Sequence, residues 1–399
     1  MRINLMSMLM FMPWCPIDNE YTVGDINILP YEREGIIKDV DDFGQSCLKT
    51  IMAAYKDIEG NPVHKTAIIS KINKSVIDDL PDDDIEIAQE LTAIACFSGL
   101  ANRSFFNSLG SYCNSDCFSM YIQKFDKADF IALKSRRREG RTLSGWSLDD
   151  IAIPVPVHCH TIQRVSLDKD LLFAIIEHRT SLDRNEWGRW QNAISCFNQA
   201  NSDSDNIRYQ MEWVLLCSAF EHILESKPTA KNTAEKFIKV FTPSTELLVK
   251  NSMRLSHNQD NANQPIRYQW MKEFYRIRGD YAHGRLNTKQ HIAWEPLEHL
   301  VLASIAFPLV IKTLLSRVGK YDITDTDQAQ IDCFEHFADT KNFLNSPKKQ
   351  RGSLDSHWSR LLSKRRYNIS IEQGINRLRN LRESAQSEQI NSCNLKEDE

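Results

Sequence analysis

The sequence is short of the residues that would make a chain fibrous, disordered or membrane-spanning. It has 14 Gly and 13 Pro among 399 residues, too few for a collagen-like or low-complexity chain. Its longest apolar run, 300–311, contains Pro308 and falls short of the roughly 18 residues that a spanning helix needs. The apolar opening 3–12 follows a single Arg2 and has no small-residue cleavage pattern, so it reads as a buried strand rather than a signal peptide. There is no large excess of one charge: a formal net charge of −4 argues against a protein that coats nucleic acid through bulk positive charge. No Gly-rich phosphate loop, dinucleotide fingerprint or Gly-x-Ser-x-Gly elbow is present, so ATP-driven and serine-hydrolase chemistry have no foothold. The ten cysteines lack the spacing of a disulfide framework and fit the reduced thiols of a cytoplasmic protein.

What remains is ordinary globular composition, with 42% hydrophobic and 26% charged residues. At about 100–200 residues per domain, the length suggests two or three domains. The expected fold class is α+β. Residues 1–165 read as a mixed α/β domain with a regulatory or recognition role, its β-rich stretches at 3–12, 21–29, 118–125 and 130–133. Between them, Ile87, Leu91, Ile94 and Ala95 fall at helical spacing. The segment Ile151-Ala-Ile-Pro-Val-Pro-Val157 must be extended, because each proline removes a donor and disfavours helix before it. A boundary follows it.

Residues 166–320 read as an α-helical bundle, with helices over 168–178, 186–200, 207–225, 233–241, 265–278 and 289–318. The helix 207–225 is apolar on two adjacent faces, one with Met211 and Leu215 and one with Trp213 and Phe220, as expected of a helix buried in a bundle. Residues 321–399 read as a helical basic extension ending in a disordered acidic tail.

The segment Phe274-Tyr-Arg-Ile-Arg-Gly-Asp-Tyr-Ala-His-Gly-Arg285 carries the most chemistry. Arg278 and His283 would point about 140° apart on a straight helix, but Gly279 after Arg278 and Gly284 after His283 let the backbone leave helical geometry, and a helix ending near Gly279 would let both reach one pocket. An imidazole can take the proton of a ribose 2′-hydroxyl at neutral pH, and a guanidinium can stabilise the charge building on the phosphate. Such a pair supports metal-free cleavage of RNA and not of DNA, which lacks the internal nucleophile. The leaving 5′-oxygen needs a second acid, which a two-fold dimer would supply by repeating His283 across its axis.

Arg278-Gly-Asp-Tyr-Ala-His283, preceded by a helical Tyr-Arg-Ile and followed by Gly284, resembles the Arg-x4-6-His signature of HEPN-domain proteins. It is closest in flavour to the ApeA-like HEPN ribonucleases of bacterial anti-phage defence. The likeness spans roughly residues 167–320 and makes the bundle HEPN-type, with the helix around Trp213 and Ala219-Phe-Glu221 as its partner helix. It implies a cytoplasmic homodimer joined through that domain, cleaving tRNA or mRNA without cofactor or metal, as a growth-arresting toxin or in anti-phage defence, under a phage-derived trigger. Arg278 and His283 would be the catalytic pair and Glu221, Asp280 and Tyr281 auxiliary. Many members carry a polar residue directly after the Arg, where this chain has Gly279 and places Asp280 one position later. The alternative is a non-catalytic HEPN module that dimerises or holds a nucleotide or partner.

Local basic charge supplies candidate RNA contacts. Residues 134–141 hold five bases, Arg136, Arg137 and Arg138 among them, and one acid. Residues 341–367 hold eight bases, including Lys364, Arg365 and Arg366, and one acid. Around the proposed site, Arg267, Lys272, Arg276, Arg278 and Arg285 outnumber Glu273 and Asp280. By contrast, 78–90 carries seven acids and no base and is expected to face solvent. Cys113-x3-Cys117 and His158-Cys159-His160 offer zinc-ligand types, but at distant and unusual spacing, and buried thiols are the expectation.

Overall fold

A computed structural model describes residues 8–37, 40–78, 80–106, 112–127, 130–137, 140–147, 151–255, 261–282, 292–345 and 356–394. It is mixed: a sheet-bearing N-terminal region followed by helices. The strand β1 (Met8–Met12) is five apolar residues, all buried, as a strand covered on both faces must be. It is central in an antiparallel sheet with β2 (Tyr21–Val23), β3 (Ile26–Glu32), β5 (Lys65–Lys71), β6 (Ile77–Asp78), β7 (Tyr121–Lys127), β8 (Phe130–Arg137) and β9 (Gly140–Ser147). The order is β2-β3-β5-β1-β7-β8-β9, with β6 pairing the start of β1 beside β5. The Pro-flanked segment forms β10 (Ile153–Pro154), parallel to β4 (Tyr55–Lys56).

Two helices accompany the sheet. The first, α1 (Asp42–Ala54), is absent from the sequence reading; Asp41 caps it by accepting from Gly44 N at 2.8 Å. The second, α2 (Asp82–Asn102), opens with Asp82, Asp83 and Asp84, favoured at the positive end of the helix dipole. The acidic stretch does not all face solvent. Asp84 pairs with Lys71 at 2.6 Å and Glu90 with Arg179 at 2.6 Å, because α2 is wedged between the sheet and the helices. Gly99 lies where a Cβ would come within 2.5 Å of the Phe118 ring, so only glycine permits that approach.

Next come α3 (Lys169–Ser181), α4 (Arg184–Ala200), α5 (Tyr209–Leu224), α6 (Ala230–Val240), α7 (Ile266–Ala282) and α8 (Pro296–Arg317). α8 starts with proline at its first turn and runs through Pro308. It is long and apolar enough to cross a membrane, yet 78% of its most apolar window is buried inside the protein, as the core helix of the bundle. The core is continuous from the sheet to α8: Phe97 of α2 meets Phe197 of α4 and Phe307 of α8 edge-on at 5.4 and 5.9 Å, and those two stack at 4.7 Å.

The helical packing extends past residue 320. On α9 (Asp325–Asp339), Phe334 and Phe337 are fully buried, so this helix is part of the bundle rather than a polar extension. Its buried acids Asp332, Glu335 and Asp339 accept the backbone N–H groups of Ser244, Leu247 and Met253 at 2.7, 2.6 and 3.0 Å. They hold the segment 244–254 against α9 by accepting N–H groups that lie outside the longer helices and strands. Finally α10 (His357–Asn394) packs against α9.

Candidate functional site

The C-terminal half of α7 faces α5, and each helix supplies one side of a polar cluster. Trp213 of α5 stacks on Phe274 at 5.1 Å and donates through Nε1 to the Phe274 carbonyl at 2.8 Å, locking the two helices in register. Two turns along α5, Glu221 then lies opposite Tyr275 and Arg278. The Tyr275 hydroxyl donates to Glu221 Oε2 at 2.9 Å, and Arg278 Nη1 donates to that hydroxyl at 3.3 Å. Arg278 Nη2 stands 3.4 Å from the same carboxylate oxygen, and the guanidinium lies over the Tyr275 ring at 5.3 Å. The Arg278 and Glu221 side chains are 27% and 24% exposed, so the cluster sits at the edge of the core with one side open. Arg278 Nε is shut off from solvent with no hydrogen-bond partner. Burial and the bond to Glu221 push the Tyr275 hydroxyl up, so it stays a neutral donor.

Tyr281 packs edge-on between Tyr209 and Trp213, at 6.0 and 5.3 Å, and burial pushes its hydroxyl up to about 12. It is a wall of the core here, not an open stacking platform. Asp280 is half-buried and adds to the repulsion that opposes ionisation of Tyr281.

Against expectation, α7 does not stop near Gly279 but continues to Ala282. Gly279 has ordinary helical backbone, and the anchoring of Ile277 and Tyr281 on the core outweighs the roughly 1 kcal/mol that a mid-helix glycine costs. His283, Arg285 and Arg138 lie outside the described residues.

The remaining predicted contacts are spread over separate elements. Arg136 and Arg137 stand on β8, in register with Arg141 and Gly140. Arg276 is on the exposed side of α7, and Lys364 and Arg366 are exposed on α10. Arg365 is engaged in binding α10 down, with 2.8 Å contacts to both Asp332 and Glu372. Arg267 and Glu273 are buried and add nothing to the surface charge near Arg278. Arg267 pairs with Glu335 at 2.8 Å, and Glu273 accepts from Ala293 N at 2.9 Å and lies 3.1 Å from His299 Nε2. What the sequence reading missed is Tyr275 as the bridge between acid and base. Its position three residues before Arg278, one helical turn away, is the signal that points to it.

Among the described residues no group of three or more His, Cys, Asp or Glu is placed to hold a metal ion. His158 pairs with Asp116 at 2.7 Å, while Cys117 and Cys159 donate to Asn114 at 3.1 and 3.2 Å. Eight of the nine cysteines whose side chains are described are buried, and all nine carry free thiols. Comparison with family models, with curated proteins and with solved structures finds no match for this chain.

Proposed function

We propose that this chain is a metal-independent endoribonuclease of the HEPN type, cleaving RNA by attack of a ribose 2′-hydroxyl on the adjacent phosphate. The observation that carries the reading is the Arg278–Tyr275–Glu221 cluster, one turn from the end of α7 and five residues before His283. A carboxylate on the facing helix and a neutral phenol aim the guanidinium and leave one side of it open. In that role Arg278 binds the phosphate and stabilises charge on its oxygens as the pentacoordinate state forms. His283 removes the 2′-hydroxyl proton; the bond from phosphorus to the 5′-oxygen breaks, leaving a 2′,3′-cyclic phosphate and a 5′-hydroxyl. A second copy of the chain, related by a two-fold axis, supplies the His283 that protonates the leaving oxygen. The biological setting we propose is growth arrest or anti-phage defence in the cytoplasm, released by a phage-derived trigger.

Purified protein incubated with total RNA in EDTA is expected to yield fragments with 2′,3′-cyclic phosphate ends, and His283→Ala none. Expression of the wild type is expected to arrest growth where His283→Ala does not. Intact RNA in the tube together with growth indifferent to His283 sinks the reading.

One observation favours a second reading, a non-catalytic HEPN module holding a nucleotide or partner. Arg278 is already engaged within the chain, and a helix continuing through Gly279 does not by itself turn Arg278 toward His283. On that reading His283→Ala leaves the cellular phenotype intact while substitutions on the docking surface abolish it.

A further inference from the structure

The helix α10 carries apolar side chains on the face that packing on α9 leaves open. Contacts settle which face is inner. Trp358 and Ile369 are buried, Arg365 Nε donates to Asp332 at 2.8 Å, and Gln373 donates to Asp325 at 2.8 Å. A residue two positions further along lies about 200° round the helix, on the opposite side. Two positions after Arg365, Ile369 and Gln373 stand Tyr367, Ile371 and Ile375, which are 68%, 43% and 46% exposed. Leu378, nearly one turn on, is 68% exposed. A helix packed on one side only is expected to be polar on the other. Single exposed apolar residues need no account, but four in one row over about 16 Å do.

Spacing and charge say what covers the row. Its steps of four, four and three residues average about 3.67, close to the 3.6 of a straight helix, so the row runs nearly parallel to the helix axis. The seam of a left-handed two-stranded coil repeats every 3.5 residues and winds round the helix. A straight row fits a plane. The surroundings carry one sign: Lys364, Arg366, Arg377 and Arg379 are all exposed around the row. Glu372, the one acid in 357–379, is taken up by Arg365 at 2.8 Å. A second copy of α10 would therefore bring like charges together as well as mismatching the spacing. The phosphates of RNA would satisfy the bases but leave Ile371, Ile375 and Leu378 with nothing apolar to meet.

We propose that α10 lies along an anionic phospholipid surface, with its apolar row set between the headgroups and its Lys and Arg side chains reaching the lipid phosphates. A helix of this kind rests in the interface without crossing it. Tyr367, an apolar ring with a polar tip, suits the level of the headgroups. The bases add an attraction that fades within a Debye length, so the contact responds to salt and to lipid charge. This surface is separate from the Arg278 cluster and does not depend on the ribonuclease reading.

The test is flotation of the full chain with vesicles of phosphatidylcholine, with and without about 30% phosphatidylglycerol. Binding is expected to be at least ~10-fold tighter with phosphatidylglycerol, and to fall steeply when salt is raised to about 0.5 M. Ile371→Gln with Leu378→Gln keeps every charge and is expected to weaken binding at least ~10-fold. Arg366→Gln with Arg377→Gln is expected to weaken it as much and to leave the remainder less sensitive to salt. All four side chains are exposed, so urea midpoints are expected to stay at the wild-type value. Met211→Gln, which removes a 55% exposed apolar side chain from α5, is expected to bind vesicles as the wild type does. No binding, equal binding to both vesicles, or indifference to the Ile371 and Leu378 pair overturns the proposal. Self-association or RNA binding that this pair abolishes assigns the row to a second copy or to RNA, and overturns it too.

Discussion

Glu221 decides whether Arg278 is a poised group or a helix-end decoration. Its carboxylate accepts from Tyr275 and stands 3.4 Å from Arg278 Nη2 as its ion-pair partner, so Glu221→Gln keeps the shape and removes the charge that aims the guanidinium. On the proposed ribonuclease reading, a charge-assisted hydrogen bond contributes about 1.5–3 kcal/mol, so RNA cleavage is expected to slow by roughly 10- to 100-fold. Tyr275→Phe, which removes only the bridge, is expected to slow it less; single-turnover cleavage rates measure both. A Glu221→Gln variant that cleaves at the wild-type rate contradicts this proposed role. In the sequence, Arg278 and His283 stand out by spacing, whereas the opposition of Glu221 across 57 residues exists only once Trp213 has stacked on Phe274.

Glu212 offers a second residue-scale test. Burial, with help from Asp203, pushes its carboxyl from 4.5 up to about 7. Between those pH values the unfolded chain has released the proton that the folded chain keeps, so folding takes up a proton. The contribution of Glu212 to stability is therefore greatest in acid, declines as pH rises through this window, and levels off above about 7. Urea midpoints of wild type minus Glu212→Gln are expected to fall over the same range; a difference constant with pH counts against it.

At the scale of elements, the buried acids of α9 are the feature that sequence pattern conceals. Asp332, Glu335 and Asp339 recur at helical spacing, which in a linear reading marks a solvated face. The structure turns that face inward, because the segment 244–254 brings backbone N–H groups that no helix or strand satisfies. Most other helices were legible because apolar periodicity and caps speak locally. The run of α7 through Gly279 was not, since glycine announces a stop and the packing of Tyr281 overrides it. Glu335 also receives Arg267, itself 2% exposed. Glu335→Ala leaves the Arg267 guanidinium with only the half-exposed Glu246 and takes the acceptor from Leu247 N, and is expected to cost about 1–3 kcal/mol in urea unfolding. Arg267→Met with Glu335→Leu, which removes both charges, is expected to recover a large part of that loss. If the single and double variants are equally unstable, the pair is not what holds α7 to α9.

Over the whole molecule, the change from strands to helices near residue 165 is written in the sequence, in the two prolines of 151–157 and the periodicity that follows. What the sequence does not display is that the two regions share one core. The helix α2 belongs by chain order to the first region, yet Glu90 receives the Trp187 indole at 2.8 Å and Ser98 donates to the Asp168 carbonyl at 2.6 Å. Phe97, fully buried, contacts rings from α4 and α8. A junction with this much aromatic burial couples the stability of the two sides, since neither can open without exposing the other's core. Wild-type protein is therefore expected to unfold in urea in one transition, with tryptophan fluorescence and far-ultraviolet circular dichroism superimposing. Phe97→Ala removes the ring at the centre and is expected to cost about 3–5 kcal/mol, shifting both probes together. Two resolved transitions in the wild type, or a Phe97→Ala change confined to one probe, mean that the sheet-bearing region and the bundle fold as separate units joined only by contact.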